Sequence, residues 1–198
     1  YAGTKANAIL ENCYGRLVQY GYRAGGISFL IDSSGFETNT IPDGWIWQDL
    51  GNYYGAGSGV MNWRENQFDI SLKSGDVPGM KTELISFNDS KEFLTPFVNE
   101  VKSAAKGTGD NAYIYLPLSN GDYRIRGSIP AGETDFKISG AVFNGAEYMV
   151  SDFGKLIAQK NKTKLSSNTM YVYGNIPDTV RNVYTHYSPS LDSIIYWF

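Results

Sequence analysis

One cysteine, Cys13, and one histidine, His186, are the only residues of their types in the chain. A catalytic thiolate needs a helix N-terminus or a nearby cation to lower its pKa, and a histidine within hydrogen-bond reach. Cys13 falls inside a helical apolar pattern that already begins at Ile9, so it reads as a small buried hydrophobe. His186 sits in the turn-like stretch Tyr184-Thr185-His186-Tyr187-Ser188-Pro189 and reads as a surface or partly buried residue rather than a ligand. One residue of each kind excludes an intrachain disulfide and a four-ligand Cys/His zinc site. No metal or cofactor is expected. Carboxylate pairs exist, such as Asp49 with Glu65 or Glu133 with Asp135, but their spacing singles out none for acid/base work.

Aromatic side chains are the other candidates. Trp45, Trp47, Tyr53, Tyr54 and Trp63 fall in a glycine-rich region, and flat aromatic faces on loops suit sugar rings. They are the candidate binding residues, with a carbohydrate-binding module as one reading and a hydrophobic cover over the core as the plainer one. Residues 51–59, GNYYGAGSG, resemble a phosphate-cradling loop only in glycine content. The strand before and helix after that such a loop needs are missing, so a surface loop is expected.

The elements that would position these residues begin with a helix over 4–22. Ile9, Cys13, Leu17 and Tyr20 recur at steps of four, four and three, which places them on one side. Gly15 and Gly21 each cost such a helix about 1 kcal/mol against alanine. Residues 27–31 read as a short apolar strand and 36–62 as a loop region. Phe68, Ile70 and Leu72 alternate with polar residues, giving a half-buried strand, and 80–87 runs back beside it. Thr95-Pro96 looks like a helix start, predicting a short second helix over 96–106. Asn120-Gly121 predicts a hairpin between 113–118 and 122–126, and Asn144-Gly145 a second one between 141–143 and 148–150. Residues 134–138, 169–173 and 194–198 read as strands. The fold class expected is α+β: an N-terminal amphipathic helix on an antiparallel sheet with a second short helix between strands, in one domain over 1–198.

Two resemblances accompany this reading. Asn12-Cys13-Tyr14-Gly15-Arg16-Leu17 resembles the cysteine motif of NlpC/P60-type cell-wall peptidases, which implies a cysteine hydrolase of cell-wall peptide using Cys13 with His186. The order of elements, a leading helix, a variable loop region, an antiparallel sheet and a second helix, resembles the globular part of a type IV pilin or pseudopilin. Tyr1 to Leu10 looks like the stretch that follows the hydrophobic segment of that family. This second resemblance implies a non-enzymatic surface or filament subunit acting in assembly or adhesion. Its partners would be other filament subunits or a surface ligand such as a glycan, and it would touch a membrane only through a segment absent from this chain.

Composition sets outer bounds. A chain of 198 residues buries roughly 70% of its unfolded surface without a staple. With 15 Tyr, 10 Phe, 4 Trp and 22 Gly against 19% charged residues, it leans to β structure with tight turns. A net charge of -3 argues against a general nucleic-acid binder. The same composition suits an extracellular or cell-surface protein. There is no run of 18 apolar residues and no starting Met, so a segment removed before Tyr1 is expected.

Overall fold

The computed structural model describes residues 5–23, 27–32, 34, 36, 39–88, 97–118, 121–164, 171–173 and 179–196. It divides into two compact units, one of Tyr1–Gly35 with Ala146–Phe198 and the other of Phe36–Gly145.

The first unit holds helix α1 (Ala6–Gln19), strand β1 (Phe29–Ile31), helix α3 (Gly145–Asn161, which starts at the boundary), strand β9 (Tyr171–Tyr173) and helix α4 (Leu191–Tyr196). β1 and β9 pair in parallel, with Phe29 opposite Tyr171. Polar pairs join α1 to α3: the Tyr14 hydroxyl donates to Asn161 Oδ1 at 2.9 Å, and Lys160 meets Glu11 at 2.8 Å. The Phe29 and Phe153 rings lie 5.9 Å apart.

The second unit runs from helix α2 (Trp47–Leu50) through strands β2 (Gln67–Lys73), β3 (Glu83–Phe87), β4 (Phe97–Asn99), β5 (Lys102–Ala104), β6 (Asn111–Tyr115), β7 (Tyr123–Pro130) and β8 (Phe136–Ala141). β3, β2 and β8 form an antiparallel sheet in that order. In a second sheet β4 and β5 run parallel along successive parts of β7, and β6 pairs with β7 antiparallel. Period-two alternation sends Phe68, Ile70 and Leu72 of β2 to the same cluster as Ile114 of β6 and Ile125 and Ile129 of β7. Val101, Ala112 and Ile138 complete it, and all of these side chains are buried. Rings extend the cluster, with Phe68 against Phe87 at 5.0 Å and Phe97 against Tyr123 at 5.2 Å.

The α+β class holds, with parallel as well as antiparallel pairing. Several local expectations are corrected. The helix expected over 96–106 is the pair of strands β4 and β5, because Phe97 stacks into the ring cluster and the backbone of this stretch bonds to β7. The start signal Thr95-Pro96 lies outside the described residues. The hairpin expected at Asn144-Gly145 is the start of α3, where Ala146, Val150, Phe153 and Ile157 are buried at helical spacing. The last expected strand is helical over α4. β6 and β7 pair antiparallel as the Asn120-Gly121 signal predicts, although Asn120 itself lies outside the described residues.

Candidate functional site

The second unit carries an outer face in which exposed rings and charges are held by buried backbone. On β6, Ala112 and Ile114 point inward, leaving Tyr113 and Tyr115 on the other side. On β7, Ile125 points inward and Arg124 and Arg126 are exposed. The register sets Tyr113 opposite Arg126 and Tyr115 opposite Arg124. Long side chains also meet along the diagonal. The guanidinium of Arg126 lies 5.4 Å from the centre of the Tyr115 ring, a cation–π arrangement.

The aromatic loop is pinned beside these strands. Asn52 is buried; its Oδ1 accepts the Ile114 N–H at 2.9 Å, and its Nδ2 donates to the Gln48 carbonyl at 2.6 Å. Gly51 is required next to it, because a Cβ there would collide with the Ile114 carbonyl. Gly55 is required for the same reason, facing the Asp49 carbonyl. The loop's own backbone therefore packs against β6. Its large side chains stay outside: Trp45, Ile46, Trp47, Tyr53 and Tyr54 are between 36% and 58% exposed. The Trp47 ring lies tilted against Tyr115 at 4.9 Å, and its indole N–H donates to the Leu116 carbonyl at 3.1 Å. The Tyr53 and Tyr54 rings meet edge-to-face at 5.3 Å.

Of the five aromatic residues singled out in the sequence, four are thus on the surface and Trp63 is not. Trp63 is 5% exposed, followed by a left-handed turn in which Arg64, Glu65 and Asn66 all have positive φ. Such a turn costs roughly 1–2 kcal/mol per residue and survives where surroundings fix it. Here the Asn66 side chain does so, accepting the Trp63 N–H at 3.0 Å and donating to Asn62 Oδ1 at 2.7 Å.

The face is electrostatically two-ended. Around Tyr54, partial burial and then the Asp49 carboxylate push the phenol above its ordinary pKa. At the other end Glu100 is shared by two cations, Arg124 through Nη1 and Arg126 through Nε, the latter at 2.6 Å. The hydrogen bond from Arg126, with both positive charges, holds the Glu100 carboxyl below its usual range. Neither Tyr115 nor Glu100 stood out in the sequence. The alternation at 122–126 was the signal that put both arginines on one face.

The thiol reading fails on its own geometry. Cys13 lies in the interior of α1, half-buried, and burial raises its pKa when a nucleophile needs it lowered. His186 is exposed. A shallow depression of about 320 Å³ on α1 is lined by Glu11, Asn12, Gly15, Arg16, Gln19 and Tyr184, with neither Cys13 nor His186 among them. Ser103 and Lys106 have the spacing of a serine nucleophile and its lysine, but Ser103 is buried on β5 and its hydroxyl accepts the Gly75 N–H at 2.9 Å. Among the described residues no group of three or more His, Cys, Asp or Glu is arranged to hold a metal, and no helix is long and apolar enough to cross a membrane.

A model of the D-Ala-D-Ala carboxypeptidase 3 (S13) family matches residues 8–197. The chain belongs to that family. Two solved structures share the fold of this S13 chain. Penicillin binding protein 4 from Haemophilus influenzae is 19% identical over 88% of this chain and 37% of its own, with a TM-score of 0.62. The same protein complexed with a novel β-lactam is 15% identical over 89% and 35%, with a TM-score of 0.51. The S13 chain here thus spans little more than a third of the protein it matches. These findings overturn the pilin resemblance, and with it the filament subunits, the adhesive role and the glycan ligand. The element order that suggested a pilin also rested on the helix at 96–106, which is absent.

Proposed function

We propose that this chain is the part of a cell-wall D-Ala-D-Ala carboxypeptidase that receives and orients the peptide, while the attacking serine comes from sequence outside these 198 residues. The observation that carries this reading is the state of Ser103. Penicillin-binding proteins combine Ser-x-x-Lys with Ser-Asp-Asn and Lys-Thr-Gly. Ser-x-x-Lys occurs once in this sequence, at Ser103-Ala104-Ala105-Lys106, and Lys-Thr-Gly does not occur. A serine buried on a strand, its oxygen already accepting a hydrogen bond, offers a substrate no access.

In the proposed enzyme a serine forms an ester with the penultimate D-alanine and releases the last one, and water then frees the shortened peptide. The outer face of the second unit suits the binding side of this work. Trp45, Trp47, Tyr53 and Tyr54 offer apolar contact, and the charged groups at either end of the face match the charged groups of a peptide. Such a substrate places the protein in the cell envelope.

The test is acylation together with turnover. A labelled β-lactam should leave this chain unmodified and label the polypeptide that contains it, which should release D-alanine from a peptide ending in D-Ala-D-Ala. Trp47→Ala in that polypeptide should raise KM with little change in kcat. A covalent adduct on Ser103 overturns the assignment.

A further inference from the structure

We propose that the basic surface where helix α1 ends beside the end of helix α3 docks on the phosphate headgroups of an anionic membrane. Only residues of the first unit take part, and docking on lipid requires nothing of the carboxypeptidase reading above.

The first ground is where the charge lies. The chain as a whole is acidic, with a net charge of -3, yet the excess of Asp and Glu falls in residues 36–145. The segments that make up the first unit hold more Lys and Arg than acid, and all of those cations but Lys5 and Lys155 gather in one place. Asn161, the last residue of α3, accepts from the Tyr14 hydroxyl at 2.9 Å and donates to the Tyr22 hydroxyl at 3.3 Å. These bonds seat Lys160, Lys162 and Lys164 against the part of the chain that carries Arg16 and Arg23. Arg181 joins them, its guanidinium 4.5 Å from the centre of the Tyr20 ring. Tyr184 then lines the same depression on α1 as Arg16. Each of these cations is exposed.

The second ground is that the unit does not neutralise this charge. Glu11 takes Lys160 at 2.8 Å, and among the described residues Arg16, Arg23, Lys162, Lys164 and Arg181 form no ion pair. A helix end carries about half a negative charge, which one cation in the last turn offsets. Arg16 stands there in α1 and Lys160 in α3. That local role leaves Arg23, Lys162, Lys164 and Arg181 unassigned. The third ground is the ring among the cations. Tyr20 stays 48% exposed although Arg181 lies over it. At the level of lipid headgroups such a ring buries its body while its hydroxyl keeps water. Cations spread over two helix ends and a neighbouring segment match a sheet of phosphates, which rearranges beneath them, better than one fixed anion.

The test is sedimentation of the full polypeptide that contains this chain with vesicles of phosphatidylglycerol in phosphatidylcholine, and with vesicles of phosphatidylcholine alone. Binding is expected on the anionic vesicles only, falling as salt is added. The triple variant Lys160→Gln, Lys162→Gln, Lys164→Gln should weaken it by roughly tenfold or more. Arg16→Gln with Arg23→Gln should weaken it from the α1 side, and exchange of the three lysines for arginine should keep it. Lys73→Gln with Lys102→Gln and Lys106→Gln removes the same charge from exposed positions of the second unit and should leave binding as it was. Equal losses in the two triple glutamine variants mean that net charge alone is read, and overturn the docking surface. Binding that ignores lipid charge overturns it too, as does a polypeptide that stays in the supernatant with every vesicle. Capture of that polypeptide by soluble polyglutamate through the same lysines would assign the surface to an acidic protein instead. Displacement from vesicles by inorganic phosphate at constant ionic strength would reduce it to a site for a single phosphate, which also overturns docking on a membrane.

Discussion

The two units solve the same problem by different means. The second unit gathers Ile70, Leu72, Ile114, Ile125 and Ile129 into one cluster drawn from two sheets, and each of these side chains is 1% exposed or less. In the first unit, α1 has Leu10 as its one buried residue, and its links to α3 include a hydroxyl–amide bond and a surface ion pair. Dense apolar packing tolerates little change in volume, whereas exposed polar pairs contribute less than about 1 kcal/mol each. The unit that holds this cluster is also the one that presents the candidate site, so its rings and charges stand on a buried apolar base.

Substitutions that fail to separate the units would break this contrast. The largest effect is expected from Ile125→Ala, which should cost about 2–5 kcal/mol of unfolding free energy, read by chemical denaturation followed at Trp47 and Trp63. Gly51→Ala comes next, at about 1–3 kcal/mol, because its Cβ meets the Ile114 carbonyl and must displace the aromatic loop. Its counterpart Gly15→Ala in α1 meets nothing within 4 Å and should stabilise by up to about 1 kcal/mol. If the two alanines behave alike, the contrast between the units is lost. Glu11→Gln should move stability by less than about 1 kcal/mol, and by still less at high salt.

The smallest effect concerns Cys13. Burial raises the thiol above its reference pKa of 9.0, so the folded chain holds this proton more tightly than the unfolded chain. Below pH 9.0 the stabilisation is present in full, and it declines as pH rises through the folded pKa. Iodoacetamide should therefore modify native Cys13 slowly at pH 8 and faster only in alkali, while Cys13→Ala removes this alkaline slope. Rapid labelling at neutral pH would revive the thiol as a nucleophile.

Legibility in the sequence followed the length scale of the signal. The alternation of Phe68, Ile70 and Leu72 with polar residues gave β2 directly, because a half-buried strand writes its two faces into neighbouring residues. Ile9, Cys13 and Leu17 likewise gave α1. The helix expected over 96–106 failed because the stretch is divided between two short strands, which a local start signal does not register. Only their pairing with β7 settles the matter, and residues 123–130 carry no local sign of it. Gly145 failed for a related reason: Asn144-Gly145 fits a turn, and the burial of Ala146, Val150, Phe153 and Ile157 overrides that preference. At the candidate site the loop aromatics were visible as residue types, whereas Trp63 is buried just before three residues of positive φ that no residue type announces. Glu100 was invisible because its meaning lies in two partners more than twenty positions away.

The parallel pairing of β1 with β9 fixes an order of events. Phe29 meets Tyr171 only after the whole of Phe36–Gly145 has been made, so the first unit is written around the second. Closing so long a flexible loop carries an entropic cost that grows with the logarithm of its length. A folded insert substitutes one fixed span for that loop. The second unit is continuous in sequence and can close as soon as it has been made, while α1 and β1 wait for partners synthesised later. On this account a defect in the second unit delays both, whereas a defect in β9 leaves the aromatic face intact.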